Sequence, residues 1–195
     1  MTVVFDTNLS IMLVRPGAMR ATDAKGNVIT HAKERVDGLV AQLAADKNKI
    51  VIPTPVLAEL LVRSDPDDRA GLTARFSKSA HFRVEAFDER AAIELADIEK
   101  KAIDRGDKRD GVEGPWTKVR FDRQIVAIAV VAGADTIYTD DENLAKHARK
   151  RGINVVGIGA LPIPADLAQT KLDLVAPARR RMIDLGDAPE DAPTA

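Results

Sequence analysis

Acidic side chains recur where a predicted strand ends. Asp6 follows the apolar run at residues 3–5, and Asp140 and Asp141 follow the run at 136–138. In open parallel sheets, ligands and catalytic groups collect at the carboxyl ends of the strands, so these acids are candidates for one shared site. Asp6 could instead cap the helix that follows it. Of the two adjacent aspartates we expect one to face the site and the other to cap a helix, and spacing does not settle which does which.

Two further acids stand in segments that are otherwise apolar. Glu59 lies in residues 55–62, which predict a helix buried most of the way round. A charge there is costly unless it coordinates a metal or is paired, for example with Arg63 four residues later. Asp122 opens the most hydrophobic helical stretch of the chain, and helical spacing places it on the same inward face as Ile125. Because this predicts a position in the first helical turn, capping is the alternative role for Asp122.

Carboxylates gathered at one edge of a sheet repel one another unless a divalent cation neutralises them. The chain contains no cysteine, which excludes thiolate zinc sites, disulfides and cysteine nucleophiles, and its 3 histidines show no ligand spacing. An all-oxygen set of ligands favours magnesium or manganese. Such an ion could polarise a phosphodiester and orient an in-line attack on it.

The elements that must position these acids alternate between strand and helix. Apolar runs predict strands at residues 3–5, 50–52, 82–87, 136–138 and 155–156. Helical spacing predicts helices at 31–46, from 55 onwards, and at 66–79, 88–104, 117–132 and 141–151. The polar segments 15–30 and 105–115 predict loops or a small hairpin. This alternation favours an α/β fold with a central, mainly parallel sheet and helices on both faces.

We divide the chain into one domain, residues 1–160, and a C-terminal extension, residues 161–195. Roughly the last dozen residues offer little apolar surface to bury, so we expect them to be disordered. With 45% hydrophobic and 30% charged residues and no apolar run long enough to span a membrane, the chain reads as a soluble protein. Its N-terminus lacks the features of an export signal, which predicts a cytoplasmic location.

The overall charge does not indicate a nucleic-acid partner, because 29 Lys+Arg face 30 Asp+Glu. Local features must carry that inference. Basic residues flank Asp122 and form a candidate RNA-binding rim, namely Lys118, Arg120 and Arg123. A solvated helix end is the alternative reading of these three positions.

The order of these motifs resembles the PIN domain, particularly the VapC toxins of toxin–antitoxin systems. The resemblance covers roughly residues 2–157 and rests on Asp6-Thr7-Asn8, Glu59 in an apolar helix, Asp122 ahead of an apolar helix ending in Gly133-Ala134-Asp135, and Thr139-x-Asp141-x-x-Leu144. It implies a three-layer α/β/α fold and a Mg²⁺- or Mn²⁺-dependent endoribonuclease acting on RNA. Members are commonly homodimers, and the toxins are inhibited by a small antitoxin.

Carried over by position, the resemblance places the family's functional residues as follows. The catalytic acids are Asp6, Glu59, Asp122 and Asp141; the metal ligands are Asp6, Asp122 and Asp141, with Asp140 as an alternative or additional ligand; the orienting residues are Thr7, Asn8 and Thr139. The chain departs from compact toxin members in segments 15–30 and 105–115 and in its C-terminal extension. These departures bear on the toxin assignment more than on the nuclease assignment.

Two other functions stay open at this point. A phosphatase of the haloacid dehalogenase type also begins with an acid after the first strand, but it requires a second Asp where this chain has Asn8, and it leaves Glu59 unexplained. A catalytically silent PIN-like or receiver-like binding module would keep the fold with its acids in structural roles. Metal-dependent cleavage separates the nuclease from such a module.

Overall fold

The structure, a computed structural model, describes residues 1–168 apart from positions 16, 18, 19 and 24. Its strands are β1 (Thr2–Phe5), β2 (Lys49–Pro53), β3 (Phe82–Glu85), β4 (Thr136–Tyr138) and β5 (Asn154–Val156). They form one parallel sheet in the order β3-β2-β1-β4-β5. The strands predicted from the apolar runs are therefore confirmed.

The middle of the sheet is buried on both faces. The side chains of β1 and β2 at residues 3–5 and 50–52 are fully inaccessible to solvent. Parallel strands covered by helices on both sides have this near-continuous apolar character. The third strand is shorter than predicted and ends at Glu85, because the chain then turns and the Phe87 N–H donates to Thr54 Oγ1 at 3.1 Å.

Helices connect the strands on both faces of the sheet. They are α1 (Thr7–Val14), α2 (Ala32–Ala45), α3 (Thr54–Val62), α4 (Arg69–Ser77), α5 (Glu89–Asp104), α6 (Trp116–Val131), α7 (Glu142–Lys150) and α8 (Ala165–Ala168). Right-handed crossovers place α1 to α4 on one face and α5 to α7 on the other. In agreement, α1 packs with α2 and α3, while α6 packs with α5 and α7. The predicted α/β fold with three layers is confirmed.

The two predicted polar segments both contain turns. In the first, an antiparallel bridge pairs Thr22 with Val28 around a turn in which Asp23 accepts hydrogen bonds from the Lys25 and Asn27 N–H groups. In the second, between α5 and α6, the Asp107 carboxylate accepts from two backbone N–H groups. The loop or small hairpin predicted for 15–30 is confirmed in its described residues.

The boundary at residue 160 stays a prediction. Leu161 is buried in the core, and its carbonyl accepts a hydrogen bond from the Arg35 guanidinium of α2. The segment predicted to be disordered lies outside the described residues. Within the part of the chain that is described, none of the helices combines the length and apolar character needed to cross a membrane.

The topology fixes where a site can form. The first strand lies in the middle of the sheet, between β2 and β4, and the connections run outward from it in opposite directions. A strand order that reverses in this way leaves a crevice at the carboxyl ends of the two strands beside the reversal. Here these strands are β1 and β4, and the residues that follow them are Asp6 and Thr139.

Candidate active site

Asp6 is a buried acid held by hydrogen bonds at the end of β1. Its Oδ1 accepts from the Leu9 N–H at 2.9 Å and so caps α1, and its Oδ2 accepts from Thr139 Oγ1 at 2.5 Å. Burial raises the pKa of Asp6 to about 7, against the lowering effect of both hydrogen bonds, and Asp140 and Asp141 raise it further. Asp6 therefore caps a helix and is also a buried carboxylate of the site, with no ion pair to any of the described residues.

Asp122 is the second buried acid. The structure corrects its predicted place in the helix, because α6 begins at Trp116 and Asp122 lies in its second turn, where a side chain cannot cap the helix. Its inward direction is as expected, since the residue is only 4% exposed. Burial raises the pKa of Asp122 to about 6; the nearby Lys118 lowers it, while Asp141 and Glu59 raise it.

Asp141 combines the two roles that were expected to be divided between neighbours. Its Oδ1 accepts from the Asn143 and Leu144 N–H groups and caps α7, while its Oδ2 accepts from Lys118 Nζ at 2.6 Å. Burial alone would raise the pKa of Asp141, but the Lys118 ammonium and the capping N–H groups hold it below its usual value. The Asp141 N–H also donates to Thr139 Oγ1 at 2.9 Å, so one threonine hydroxyl orients both Asp6 and Asp141.

Asp140 faces a different part of the molecule. Its Oδ1 accepts from the Ile158 N–H at 3.0 Å, at the start of a short 3-10 turn (Ile158–Ala160). A Cβ atom at Gly157 would lie 2.5 Å from that oxygen, so glycine is required where the carboxylate docks. Asp140 does not line the cavity that the other acids share, although its charge raises the pKa of Asp6, and we leave it out of the proposed ligands.

Glu59 completes the set of acids from α3. Its Oε2 accepts from Thr7 Oγ1 at 2.8 Å, and its Oε1 pairs with Arg63 at 2.7 Å. The expectation that this helix is buried most of the way round is wrong, because only Val56 and Leu60 are buried in it. Glu59 is partly exposed at the mouth of the site, and its ion pair with Arg63 is the structural role anticipated as the alternative.

These acids line one cavity of about 600 Å³, which we call the acid pocket. Its acidic side is formed by Asp6, Glu59, Asp122 and Asp141, with Thr7, Asn8, Thr117 and Lys118 beside them. Its lining also includes apolar side chains, which we call the apolar wall: Ala58, Val62, Phe121, Ile125 and Leu144. Sequence reasoning missed this apolar wall, although the spacing that placed Ile125 on the face of Asp122 was a signal for part of it.

The three residues of the predicted basic rim separate in the structure. Lys118 lies in the acid pocket, within reach of two of its acids. Arg120 points to α5 and pairs with Glu99 at 3.1 Å. Arg123 is fully buried and donates to the Lys108 carbonyl at 2.8 Å. Only Lys118 is therefore placed to meet a ligand in the pocket.

The oxygen atoms that line the acid pocket are suited to binding a cation. Among the described residues, no three Asp, Glu or His side chains stand close enough together to hold a metal ion in this arrangement. The Lys118 ammonium instead lies between two of the acids, 3.2 Å from Asp122 Oδ2 and 2.6 Å from Asp141 Oδ2. The site thus already holds a positive charge, and its oxygen donors are those that Mg²⁺ and Mn²⁺ prefer. Asp6 forms no ion pair in the described part of the chain.

Comparisons with solved structures support the fold. A chain in the structure of VapBC2 from Rickettsia felis bound to a DNA fragment from their promoter matches with a TM-score of 0.54 and 16% identity, over 80% of this chain and 98% of that one. A chain of FitAB bound to an IR36 DNA fragment matches with a TM-score of 0.52 and 21% identity, over 82% and 97%. DNA-bound VapBC from Salmonella typhimurium gives a TM-score of 0.50 and 18% identity, over 81% and 98%.

At these identities the matches establish the fold alone, and the PIN-like fold expected from the sequence motifs is confirmed. A scan of protein-family models finds no match to the chain, and a search of curated proteins finds no significant one.

Proposed function

We propose that the protein is a metal-dependent endoribonuclease of the PIN type that hydrolyses RNA in the acid pocket. The observation that carries this proposal is the convergence of four acids from separate parts of the chain on one cavity, with a cation between two of them. Buried carboxylates with raised pKa values are common at catalytic centres. Here the pKa values of Asp6 and Asp122 are raised, and both residues belong to the cavity wall.

We assign Asp6, Asp122 and Asp141 as the residues that would hold Mg²⁺ or Mn²⁺. When bound, the ion would supply Lewis acidity that polarises a phosphodiester. Thr139 keeps Asp6 and Asp141 in fixed orientations through its single hydroxyl. Hydrogen-bonded partners of this kind hold metal ligands in position and are needed for full affinity.

Glu59 has a different role in this proposal. Its side chain is 34% exposed, against 30% for Asp141 and 5% for Asp122, and both of its oxygens are already held, by Thr7 and by Arg63. A carboxylate fixed at the mouth of the pocket can orient an attacking water and accept its proton. We therefore assign Glu59 to the water and the three deeper acids to the metal.

The apolar wall of the acid pocket supports a single-stranded RNA substrate. Val62 is 78% exposed, and the half-buried Phe121 also lines the cavity. Unstacked bases of single strands and loops bind to aromatic and apolar side chains, whereas duplexes present mainly phosphate and sugar. Lys118 is the basic residue in this pocket that could meet the phosphate.

The fold neighbours support an antitoxin partner. The structures named above are those of VapBC and FitAB complexes bound to DNA. We extend this to a proposal that the present chain acts as the nuclease toxin of a toxin–antitoxin pair. The homodimer expected from the family resemblance stays a prediction, which light scattering on the purified chain would check.

Cleavage of a mixed pool of single-stranded and structured RNA tests the proposed function. The purified chain would be assayed with Mg²⁺, with Mn²⁺ and with EDTA, beside Asp122→Asn and the matched control Asp140→Asn. Cleavage that requires metal and Asp122, but not Asp140, is the expected result. A folded, antitoxin-free chain that cleaves no RNA with either metal would contradict the proposal and favour the silent binding module, in which the acids have structural roles.

A further inference from the structure

Lys118 is the only side chain in the described part of the chain that forms an ion pair with Asp122 or Asp141. Its ammonium lies 2.6 Å from Asp141 Oδ2, and 3.2 Å and 3.5 Å from the two oxygens of Asp122. One positive charge therefore serves two carboxylates that come from different elements, α6 and the start of α7. The position between them is the one that a divalent cation bound by both acids would need.

The three side chains differ in how freely they can move. The side chain of Asp122 is 5% exposed, while that of Lys118 is 44% exposed. Asp141 is fixed by the backbone N–H groups that it caps. A lysine carries its charge on a flexible four-carbon stem, so its ammonium can withdraw into solvent while the acids stay in place.

Lys118 is also tethered to the site. It precedes Asp122 by four residues in the same helix, a spacing that keeps two side chains on one face. After the ammonium withdraws, it stays within a side chain's length of the acids and can return. A free cation from solution would have no such constant local presence.

We propose that Lys118 is an internal counter-ion that occupies the metal-binding acids when no metal is present, and that a divalent cation binds only when this ammonium withdraws. This inference rests on the proposed function, because it assigns the same acids to the metal. The ammonium occupies the space between Asp122 and Asp141, where a divalent cation bound by both acids would lie. Lys118 is thus a positioning residue that sets metal affinity.

The competition between the Lys118 ammonium and a metal ion for the acids has a predictable effect on metal affinity. A ligand that binds only the minor, competent form of a protein has its apparent affinity reduced by the population of that form. If the ammonium lies on the acids for about nine-tenths of the time, the apparent Kd for metal is about tenfold weaker than without it. Lys118 should therefore weaken metal binding and, at the same time, stabilise the metal-free protein.

The first test is Mn²⁺ binding by the full chain and by Lys118→Met, measured by titration calorimetry without RNA. Methionine keeps the length of the stem and removes the charge. We expect Lys118→Met to bind Mn²⁺ about tenfold more tightly and, in EDTA, to have a lower Tm than the natural chain. The matched control is Lys101→Met, which removes a lysine paired with Asp97 at 2.7 Å on the surface of α5 and should change neither Mn²⁺ affinity nor its response to metal.

A second measurement needs no variant and decides the matter even if Lys118→Met does not fold. The natural chain would be acetylated briefly with a lysine reagent, with and without Mn²⁺, and the labelling of Lys118 and Lys101 compared by mass spectrometry. We expect Mn²⁺ to increase labelling of Lys118 severalfold, because the withdrawn amine becomes accessible, and to leave Lys101 unchanged.

Unchanged or weaker Mn²⁺ binding by folded Lys118→Met, or labelling of Lys118 that Mn²⁺ does not increase, would overturn the inference. These results would leave the proposed function intact if the natural chain still binds Mn²⁺ and cleaves RNA. If neither protein binds Mn²⁺, the inference falls together with the metal dependence of the proposed function.

Discussion

Asp122 and Arg123 are neighbours in α6, both are buried and they carry opposite charges, yet their surroundings differ. Successive residues of a helix point about 100° apart, so the two side chains enter different parts of the protein. Asp122 opens onto a cavity and is paired with the half-exposed Lys118. Arg123 is enclosed by the loop between α5 and α6.

Arg123 makes two contacts in this enclosure, and a third contact joins the two residues that cover it. Its Nη2 donates to the Lys108 carbonyl at 2.8 Å, its guanidinium lies 5.4 Å from the centre of the Trp116 ring, and Lys108 Nζ lies 5.1 Å from the same ring. The Arg123 Nε and Nη1 atoms have no hydrogen-bond partner in the described part of the chain. Lys118, the partner of Asp122, can therefore move into solvent, whereas Arg123 is covered by the loop between α5 and α6. We call the side of α6 that carries Asp122 its acid face and the side that carries Arg123 its basic face. We infer that the acid face serves to bind ligands and the basic face to stabilise the fold.

The largest expected effect is on catalysis at the acid face. Asp6→Asn or Asp122→Asn should lower RNA cleavage in Mn²⁺ by about a thousandfold, as when a preorganised charged group is removed from an active site. Their free energies of unfolding in EDTA should be unchanged or higher, because each change removes a buried carboxylate whose pKa burial has raised. Cleavage assays and urea titrations measure the two quantities. An inactive variant that is also unfolded would assign the acid a structural role instead.

The next effect is on stability at the basic face. Arg123 is the largest fully buried side chain in the described part of the chain, so Arg123→Ala should lower the free energy of unfolding by about 3 kcal/mol through the cavity that it leaves. Urea denaturation in EDTA measures this. The control is Arg123→Met, which fills much of the space without burying a charge and should cost less. Equal stability of the natural chain and Arg123→Ala would break the contrast between the two faces.

A smaller effect is expected in how the free energy of unfolding depends on pH, through His147, whose pKa responds to the charge of Arg123. Burial, together with the positive charges of Arg123 and Lys150, lowers the pKa of His147 from 6.5 to about 4, against the raising effect of Asp110 and Asp141. The folded state therefore binds fewer protons than the unfolded state between these two values. The contribution of neutral His147 is fully present above pH 6.5 and is lost as the pH falls towards 4.

We expect the natural chain to lose on the order of 2 kcal/mol more than His147→Gln between pH 7 and pH 4.5, both measured in EDTA. Asp6 and Asp122 act in the opposite sense, because their raised pKa values make their contribution largest at low pH and lost as the pH rises. Both proteins contain these acids, so the difference between the two curves isolates His147. Parallel curves would show that His147 is not held neutral by its surroundings.

The smallest effect is expected at Thr139, which orients the acid face without supplying a charge. Thr139→Val removes the hydroxyl that donates to Asp6 and accepts from the Asp141 N–H. Cleavage should fall about tenfold, as for the loss of a residue that positions metal ligands, and the free energy of unfolding should fall by about 1 kcal/mol. Thr139→Ser keeps the hydroxyl and should retain most of both. Unchanged cleavage and stability in Thr139→Val would show that the hydroxyl does not orient the acids. If serine fails as completely as valine, the hydroxyl alone is not sufficient.

The sequence was sufficient for the sheet and for the edge of the sheet at which acids gather. Short apolar runs at residues 3–5 and 50–52 predict buried parallel strands, because only strands covered on both faces are apolar at every position. With the run at 136–138 as a further parallel strand, the carboxyl ends of β1 and β4 come to the same edge of the sheet, and Asp6 and the pair Asp140 and Asp141 come with them. The apolar pattern of the strands and the parallel order of the sheet are enough to predict this part of the site.

The remaining features depend on contacts that spacing does not contain. Asp140 and Asp141 leave β4 together, and only the docking of one at the Ile158 N–H separates them. Arg123 looks like an exposed basic residue in the sequence, because its burial depends on how the loop containing Lys108 folds over it. The bridging position of Lys118 needs the distance between two elements, although its four-residue spacing from Asp122 was visible.

The most direct test of the contrast within α6 compares RNA cleavage in Mn²⁺ by Asp122→Asn and by Arg123→Met, each at a temperature where circular dichroism shows it to be folded. Our account predicts that Asp122→Asn is folded and inactive, while Arg123→Met cleaves RNA at a rate close to that of the natural chain. Full activity in Asp122→Asn, or loss of activity in folded Arg123→Met, would contradict the account, because the catalytic face of the helix would then lie on the side of Arg123.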